Sequence, residues 1–306
     1  MRRERAKTAP DAAGAFGSGP GAEAVRHPPR ALPEAGAGGT ENCPRAGRLV
    51  EAHPHPSRRE PRPRPLLNRF RSPEARYARR MARIARFERP IEGPAARLSA
   101  WANMLLVDHG IFRLAYLNRH RVGQGALWRS AQPSPLDLAR FRREGVRTIV
   151  SLRGGREHGS WPLQREACHR HGLKLVEFVL RSREAPSKET ILSARDFFAA
   201  LDYPAVMHCK SGADRAGLAA TLYLILHEGR PVREAVGQLS ARYGHFRFAK
   251  TGILDAFFAR YLAEGEPEGL NFLTWVETRY DPEALKRDFR PGFWSDLVVD
   301  RVIRRE

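Results

Sequence analysis

His208-Cys209-Lys210-Ser211-Gly212-Ala213-Asp214-Arg215-Ala216-Gly217 follows an apolar run, Tyr203 to Met207, and precedes an apolar pattern at helical spacing. A cysteine thus stands six positions before an arginine, where a strand turns into a helix, with small residues between them. A loop of this length at a helix N-terminus can aim several backbone N–H groups at one anion, and the helix dipole adds to the attraction. The same groups favour a thiolate over a thiol, which is what makes a cysteine so placed nucleophilic. Arg215 offers a planar fork of donors that bonds two phosphate oxygens at once, which a lysine cannot copy. A cysteine buried merely as a small hydrophobe would explain Cys209. It would not explain Lys210, Ser211, Asp214 and Arg215, which an apolar core would leave unpaired.

Outward from this loop, short apolar runs alternate with helical periods. Ala126 to Arg129, Thr148 to Leu152, Lys174 to Val179 and Ala205 to His208 read as strands. Helices are expected from Ser134-Pro135 to Glu144, from Pro162 to His171, from Ser187 to Ala200 and from Arg215 to His227. The alternation implies an α/β fold with a central parallel-rich sheet flanked by helices and a ligand site at the carboxyl ends of its strands. After Pro231 the pattern is helical: Val232 to Arg242, Thr251 to Ala263, Phe272 to Tyr280 and Trp294 to Ile303. Trp275, Phe289, Phe293 and Trp294 are read as packing residues.

The ten residues from His208 to Gly217 resemble the signature loop of the cysteine-dependent protein tyrosine and dual-specificity phosphatases, in its bacterial form, and the resemblance spans roughly Ala126 to Leu262. It implies a tyrosine-phosphatase-like fold and metal-free hydrolysis of phosphomonoesters. Cys209 would attack phosphorus, and Arg215 with the Lys210–Arg215 loop would bind the phosphoryl oxygens. No cofactor and no metal would be required. The leaving group needs a proton. Many family members supply an aspartate from a separate loop, but no aspartate lies between Asp137 and Asp196, and the corresponding stretch, Arg181 to Pro186, offers only Glu184. Some relatives carry an aspartate just before the signature arginine, the place of Asp214, so Asp214 is the expected acid and Glu184 the alternative. Ala216 departs from the Ser or Thr that much of the family has there, and Ser211 is the candidate substitute. His208 is expected to organise the loop, with Lys210, Arg181, Arg183 and Arg153 around the mouth.

The expected substrates are phosphotyrosine or both phosphotyrosine and phosphoserine/threonine in proteins, with phosphoinositides or inositol phosphates as the alternative. A sulfurtransferase, an arsenate reductase and an inactive phosphate-binding module are further readings. Arsenate reduction would want a resolving thiol, and only Cys168 is available.

Residues 1–80 hold 12 of the 23 prolines and 8 of the 26 glycines and little apolar pattern, so disorder is expected there, with a catalytic domain over 81–265 and a helical C-terminal extension over 266–306. The net charge of +19 is split between +9 in residues 1–80 and +10 beyond, and 47 arginines against 6 lysines point to genome composition more than to a selected polyanion surface. No nucleic-acid module is recognisable. Cys43, Cys168 and Cys209, odd in number and far apart, do not form a disulfide framework, which fits a reducing cytoplasm. No transmembrane segment is expected: Leu98 to Leu117 is interrupted by Asp108, His109 and Arg113 and reads as an amphipathic helix. Oligomeric state is left open.

Overall fold

The computed structural model describes residues 72–290. The expected disorder up to residue 71 and the helix expected from Trp294 lie outside them. Five strands, β1 (His120–Val122), β2 (Leu127–Ser130), β3 (Thr148–Ser151), β4 (Lys174–Glu177) and β5 (Ala205–His208), form one sheet in the order β1-β2-β5-β3-β4. β1 pairs antiparallel with β2 and every other pair is parallel. The four parallel strands coincide with the expected ones. β1 was not anticipated, because three residues, His-Arg-Val, are too few to show alternation.

The helices in chain order are α1 (Pro73–Glu88), α2 (Gly93–Ala102), α3 (Gly110–Ala115), α4 (Pro135–Arg143), α5 (Ser160–Arg170), α6 (Lys188–Ala199), α7 (Asp214–Leu226), α8 (Val232–Ala235), α9 (Ile253–Glu264), α10 (Phe272–Thr278) and α11 (Pro282–Asp288). Capping explains several starts. Ser134 and Asp137 form a reciprocal capping box before α4, with Pro135 in its first turn. Ser187 caps α6 by accepting from the Thr190 N–H.

Strand alternation divides the core into two layers. On β5, Ala205 and Met207 face the layer that also holds Cys209, α6, α7 and α9, whereas Val206 faces α4 and α5. On β3, Val150 joins the first layer and Ile149 the second. α7 buries nine of its thirteen residues, so it is apolar all round and sits at the centre. Gly217 lets it approach the next segment: an added Cβ would lie 2.8 Å from Leu239 Cδ2 and 3.0 Å from the Gln238 carbonyl oxygen.

Three expectations are corrected. Helical structure begins at Pro73, so Met81 falls inside α1 rather than at a domain start, and Arg80 pairs with Glu157. Val232 to Arg242 is not one helix: α8 ends at Ala235 and 3₁₀ turns follow at Val236–Gln238 and Ala241–Tyr243. The cause is tertiary, since the Gln238 carbonyl is diverted to accept from Arg129 (2.6 Å) and Leu239 inserts beneath Gly217. Leu98 to Leu117 is likewise broken, into α2, a π turn at Asn103–Val107 and α3. The residues after 265 pack into the main core: Trp275, Tyr280 and Leu285 are fully buried in the same cluster as Cys209.

Candidate active site

The loop after β5 is shaped by what holds its carbonyl groups. Lys210 O accepts from the Gln132 N–H (3.3 Å) and Ser211 O from Asn118 Nδ2 (3.0 Å). Gly212 O and Ala213 O accept from one guanidinium nitrogen of Arg129, at 2.8 and 2.9 Å. Four consecutive carbonyls are thus drawn outward. Because a trans peptide is planar, each N–H that follows points the opposite way, toward the loop interior. The Gly212 N–H accordingly donates to Cys209 Sγ at 3.2 Å. Gly212 has φ +76°, and a Cβ there would meet the Ala131 nitrogen at 2.7 Å, so no other residue fits without displacing β2's end.

Arg129 is wholly buried, although it stands on a strand. Its other nitrogen donates to Gln238 O and Oε1, and its guanidinium lies over the Tyr243 ring at 4.1 Å from the centroid. Burial pulls its pKa down to about 10 against the opposing pull of Cys209, Tyr243 and Asp214, so it is charged at neutral pH. Asn118 is the second brace; its Nδ2 also donates to Tyr243 O (2.9 Å).

His208 is buried and neutral: burial, then the surrounding Arg153, Arg215 and Arg113, lower its pKa to about 3. Its Nδ1–H donates to Cys209 O (3.3 Å) and its Nε2 accepts from Gln164 (2.6 Å). Gln164 in turn accepts from Gln132, which accepts from Arg153. Arg153 is clamped by Asp108 through both nitrogens, at 2.7 and 2.8 Å. Burial alone would raise the Asp108 pKa, but hydrogen bonds from Arg153 and Ser160 and the charge of Arg113 hold it well below the usual carboxylate range. Lys210 Nζ lies 3.4 Å from the same carboxylate.

A cleft of about 660 Å³ opens over the loop, lined by Arg153, Arg181, Arg183, Lys210, Arg215 and the carboxylates Asp214 and Glu184, among others. Cys209 is 2 % exposed and directly precedes Lys210 and Ser211 of this lining. Arg215 Nη1 donates to Arg153 O (3.2 Å). Ser211 is exposed and contributes its backbone to the loop, and Ala216 is fully buried. Glu184 is exposed at the mouth. Asp214 instead belongs to a network: His245, 2 % exposed, donates from Nδ1 to Asp214 Oδ1 (2.7 Å) and from Nε2 to Asp255 Oδ2 (2.6 Å). Burial opposes the imidazolium, but the two carboxylates outweigh it and raise the His245 pKa to about 9. Cys168 lies across the sheet in the other core layer, where burial pushes its thiol up to about 12.

Sequence reasoning missed Arg129, Asn118, Asp108, Gln132, Gln164, His245 and Asp255. One signal was available: an arginine within the apolar run Leu127 to Ser130 has no solvent side to face.

Residues 102–252 match the family described as "PTP-NADK: DSP-PTPase phosphatase fused to NAD+ Kinase". The dual specificity protein phosphatase TpbA of Pseudomonas aeruginosa is 26% identical over 155 residues, which cover 48% of this chain and 61% of that protein. The chain therefore spans somewhat under two thirds of the length of the curated relatives it matches. Among solved structures, P. aeruginosa TpbA is 21% identical with a TM-score of 0.39, covering 56% of this chain and 91% of that one. PTPMT1 is 18% identical with a TM-score of 0.37, covering 49% and 99%. The family match and the curated relative support the tyrosine/dual-specificity phosphatase superfamily for this half of the chain.

Proposed function

We propose that the chain hydrolyses phosphomonoesters through a phosphocysteine intermediate, with phosphotyrosine, and phosphoserine or phosphothreonine, in proteins as substrates. The observation that carries this reading is the outward tethering of four loop carbonyls, which turns the following N–H groups to the loop interior, where the Gly212 N–H bonds Cys209 Sγ, with Arg215 lining the cleft beside them. Charge in a phosphoryl-transfer transition state lies on the equatorial oxygens, where these donors act. A metal ion is then unnecessary.

In the first step Cys209 Sγ forms a bond to phosphorus as the ester P–O bond breaks, and the departing oxygen takes a proton from Asp214. In the second, water attacks the phosphocysteine, gives its proton to Asp214, and the thiolate leaves. Both Asp214 and Glu184 line the cleft, and Asp214 is favoured because it is bonded to a group that holds a proton at neutral pH. The proton on His245 Nδ1 is the one relayed: it passes to Asp214 Oδ1 and on to the departing oxygen, leaving Asp214 ionised and His245 neutral, still donating to Asp255, and the proton taken from water in the second step returns through Asp214 to His245. Arg129 offers the buried positive charge that the family's hydroxyl, replaced by Ala216, would not provide. The arsenate-reductase reading is disfavoured, because Cys168 is inert and on the wrong side of the sheet.

The test is phosphate release from phosphopeptides with EDTA present. Cys209→Ser should abolish release and wild-type activity should survive chelation. Full activity in Cys209→Ser would remove the reading.

A further inference from the structure

The stretch from Asn103 to Tyr116 is folded inside out. Its two formal charges turn inward, where Arg113 and Arg153 both bond the buried Asp108. Met104 and Leu105 pack inward, but Leu106, Val107, Ile111, Phe112, Leu114 and Tyr116 turn outward, Phe112 being 72% and Leu106 69% exposed. A monomeric surface does not ordinarily gather its large apolar side chains in this way, and such a patch marks a contact surface.

The stretch abuts the loop after β5 at its middle and at its C-terminal end. Asp108 pairs with Lys210, and Tyr116 bonds Asn118 (3.2 Å), which holds the Ser211 carbonyl. Beyond the loop, Phe246 and Phe248 are also exposed, with ring centroids 5.6 Å apart, next to the His245 that bonds Asp214. The segments that carry these apolar side chains are therefore bonded to the loop beneath a cleft lined by Arg181 and Arg183, both exposed and without an ion-pair partner among the described residues.

We infer that this apolar collar and its arginines dock the cleft onto an anionic lipid bilayer, so that phosphomonoester headgroups enter it from the membrane surface. The inference of headgroup delivery rests on the phosphatase reading; the docking does not. Apolar groups enter the headgroup–acyl boundary while neighbouring arginines meet anionic lipid, and the two contributions add. Charge selects this occupant. A second copy would set one basic rim against another, and residues 1–71, with 14 Arg and Lys against 7 Asp and Glu, carry the same sign as the rim.

The full chain would be co-sedimented with vesicles of phosphatidylcholine alone, of phosphatidylcholine with phosphatidylglycerol, and of phosphatidylcholine with phosphatidic acid. Binding is expected to both anionic compositions and to weaken with salt. Ile111→Ser combined with Phe112→Ser, both at exposed positions, should reduce the partition coefficient by about tenfold or more. Turnover of a soluble aryl phosphate should be unchanged in that variant, while phosphate release from vesicle-borne phosphatidic acid falls in step with binding. Three results would each overturn the docking: no binding to anionic vesicles, equal binding by wild type and variant, or a wild-type dimer that the variant converts to monomer. Vesicle binding without any turnover of the aryl phosphate would instead refute the phosphatase reading and leave docking standing.

Discussion

Replacing His245 by glutamine should remove a pH-dependent share of the stability, and the size follows from its two partners. His245 is almost wholly enclosed and donates to Asp214 and Asp255 at 2.7 and 2.6 Å. Burial works against the cation, yet the two carboxylates prevail and the pKa rises from 6.5 to about 9. A group whose folded pKa is raised contributes stability that is complete below the unfolded value and is lost as pH climbs through the folded one. The window is therefore from about 6.5 to about 9, and the full contribution is about 3 kcal/mol. For a domain of this size that is about 6–12 °C in Tm. The assay is urea unfolding of wild type and His245→Gln across that window, with the difference between them taken at each pH so that other titrating groups cancel. The difference should be largest near pH 6.5 and shrink by about 3 kcal/mol on going to pH 9.5. Parallel curves, with a constant gap, would show that the imidazole is not held as a cation between the two carboxylates and would remove it as the proton source.

Asp214→Asn should cost on the order of 10²–10⁴ in rate on alkyl phosphates and much less on activated aryl phosphates, whose leaving groups depart without a proton. If Glu184→Gln shows that leaving-group dependence and Asp214→Asn does not, the acid is on the loop from Arg181 to Pro186. Arg129→Lys keeps the charge but not the fork that serves Gly212, Ala213 and Gln238, so it should lower stability by about 2 kcal/mol and kcat/KM by at least about tenfold. Gly212→Ala must push the loop off the end of β2 and should reduce kcat by about 10²-fold or more, with an unchanged far-ultraviolet spectrum.

The sheet and the cradle's outline were legible because their signals are local. β5, the loop and α7 follow one another in sequence, and Ser134, Pro135 and Asp137 announce α4 within four residues. What shapes the cradle was not legible, because each brace arrives from a distant segment with no pattern of its own. Asn118, just before β1, and Arg129, on β2, reach the loop across more than 80 intervening residues, and His245 meets Asp214 only after the chain has returned through α8. The stretch from Leu98 to Leu117 misled for another reason. Periodicity shows that a segment has two faces, and it does not say which one is turned inward; Asp108 reversed the usual choice by pairing with both Arg113 and Arg153.

The C-terminal helices bear on where this unit can be cut. The family match ends at residue 252, before α9. Yet Phe257, Phe258, Trp275 and Tyr280 fill the same core layer as the strand that delivers Cys209, and Tyr280 Oη donates to Pro186 O at 2.8 Å, pinning the end of the segment that carries Glu184, Arg181 and Arg183. A fragment excised along the boundaries of resemblance would keep every residue of the cradle and lose the wall behind it, leaving α6 and α7 with bare apolar faces. The transferable module is the longer one, from the start of α1 through α11, and a graft or fusion that respects only the shared region would carry the chemistry without its foundation.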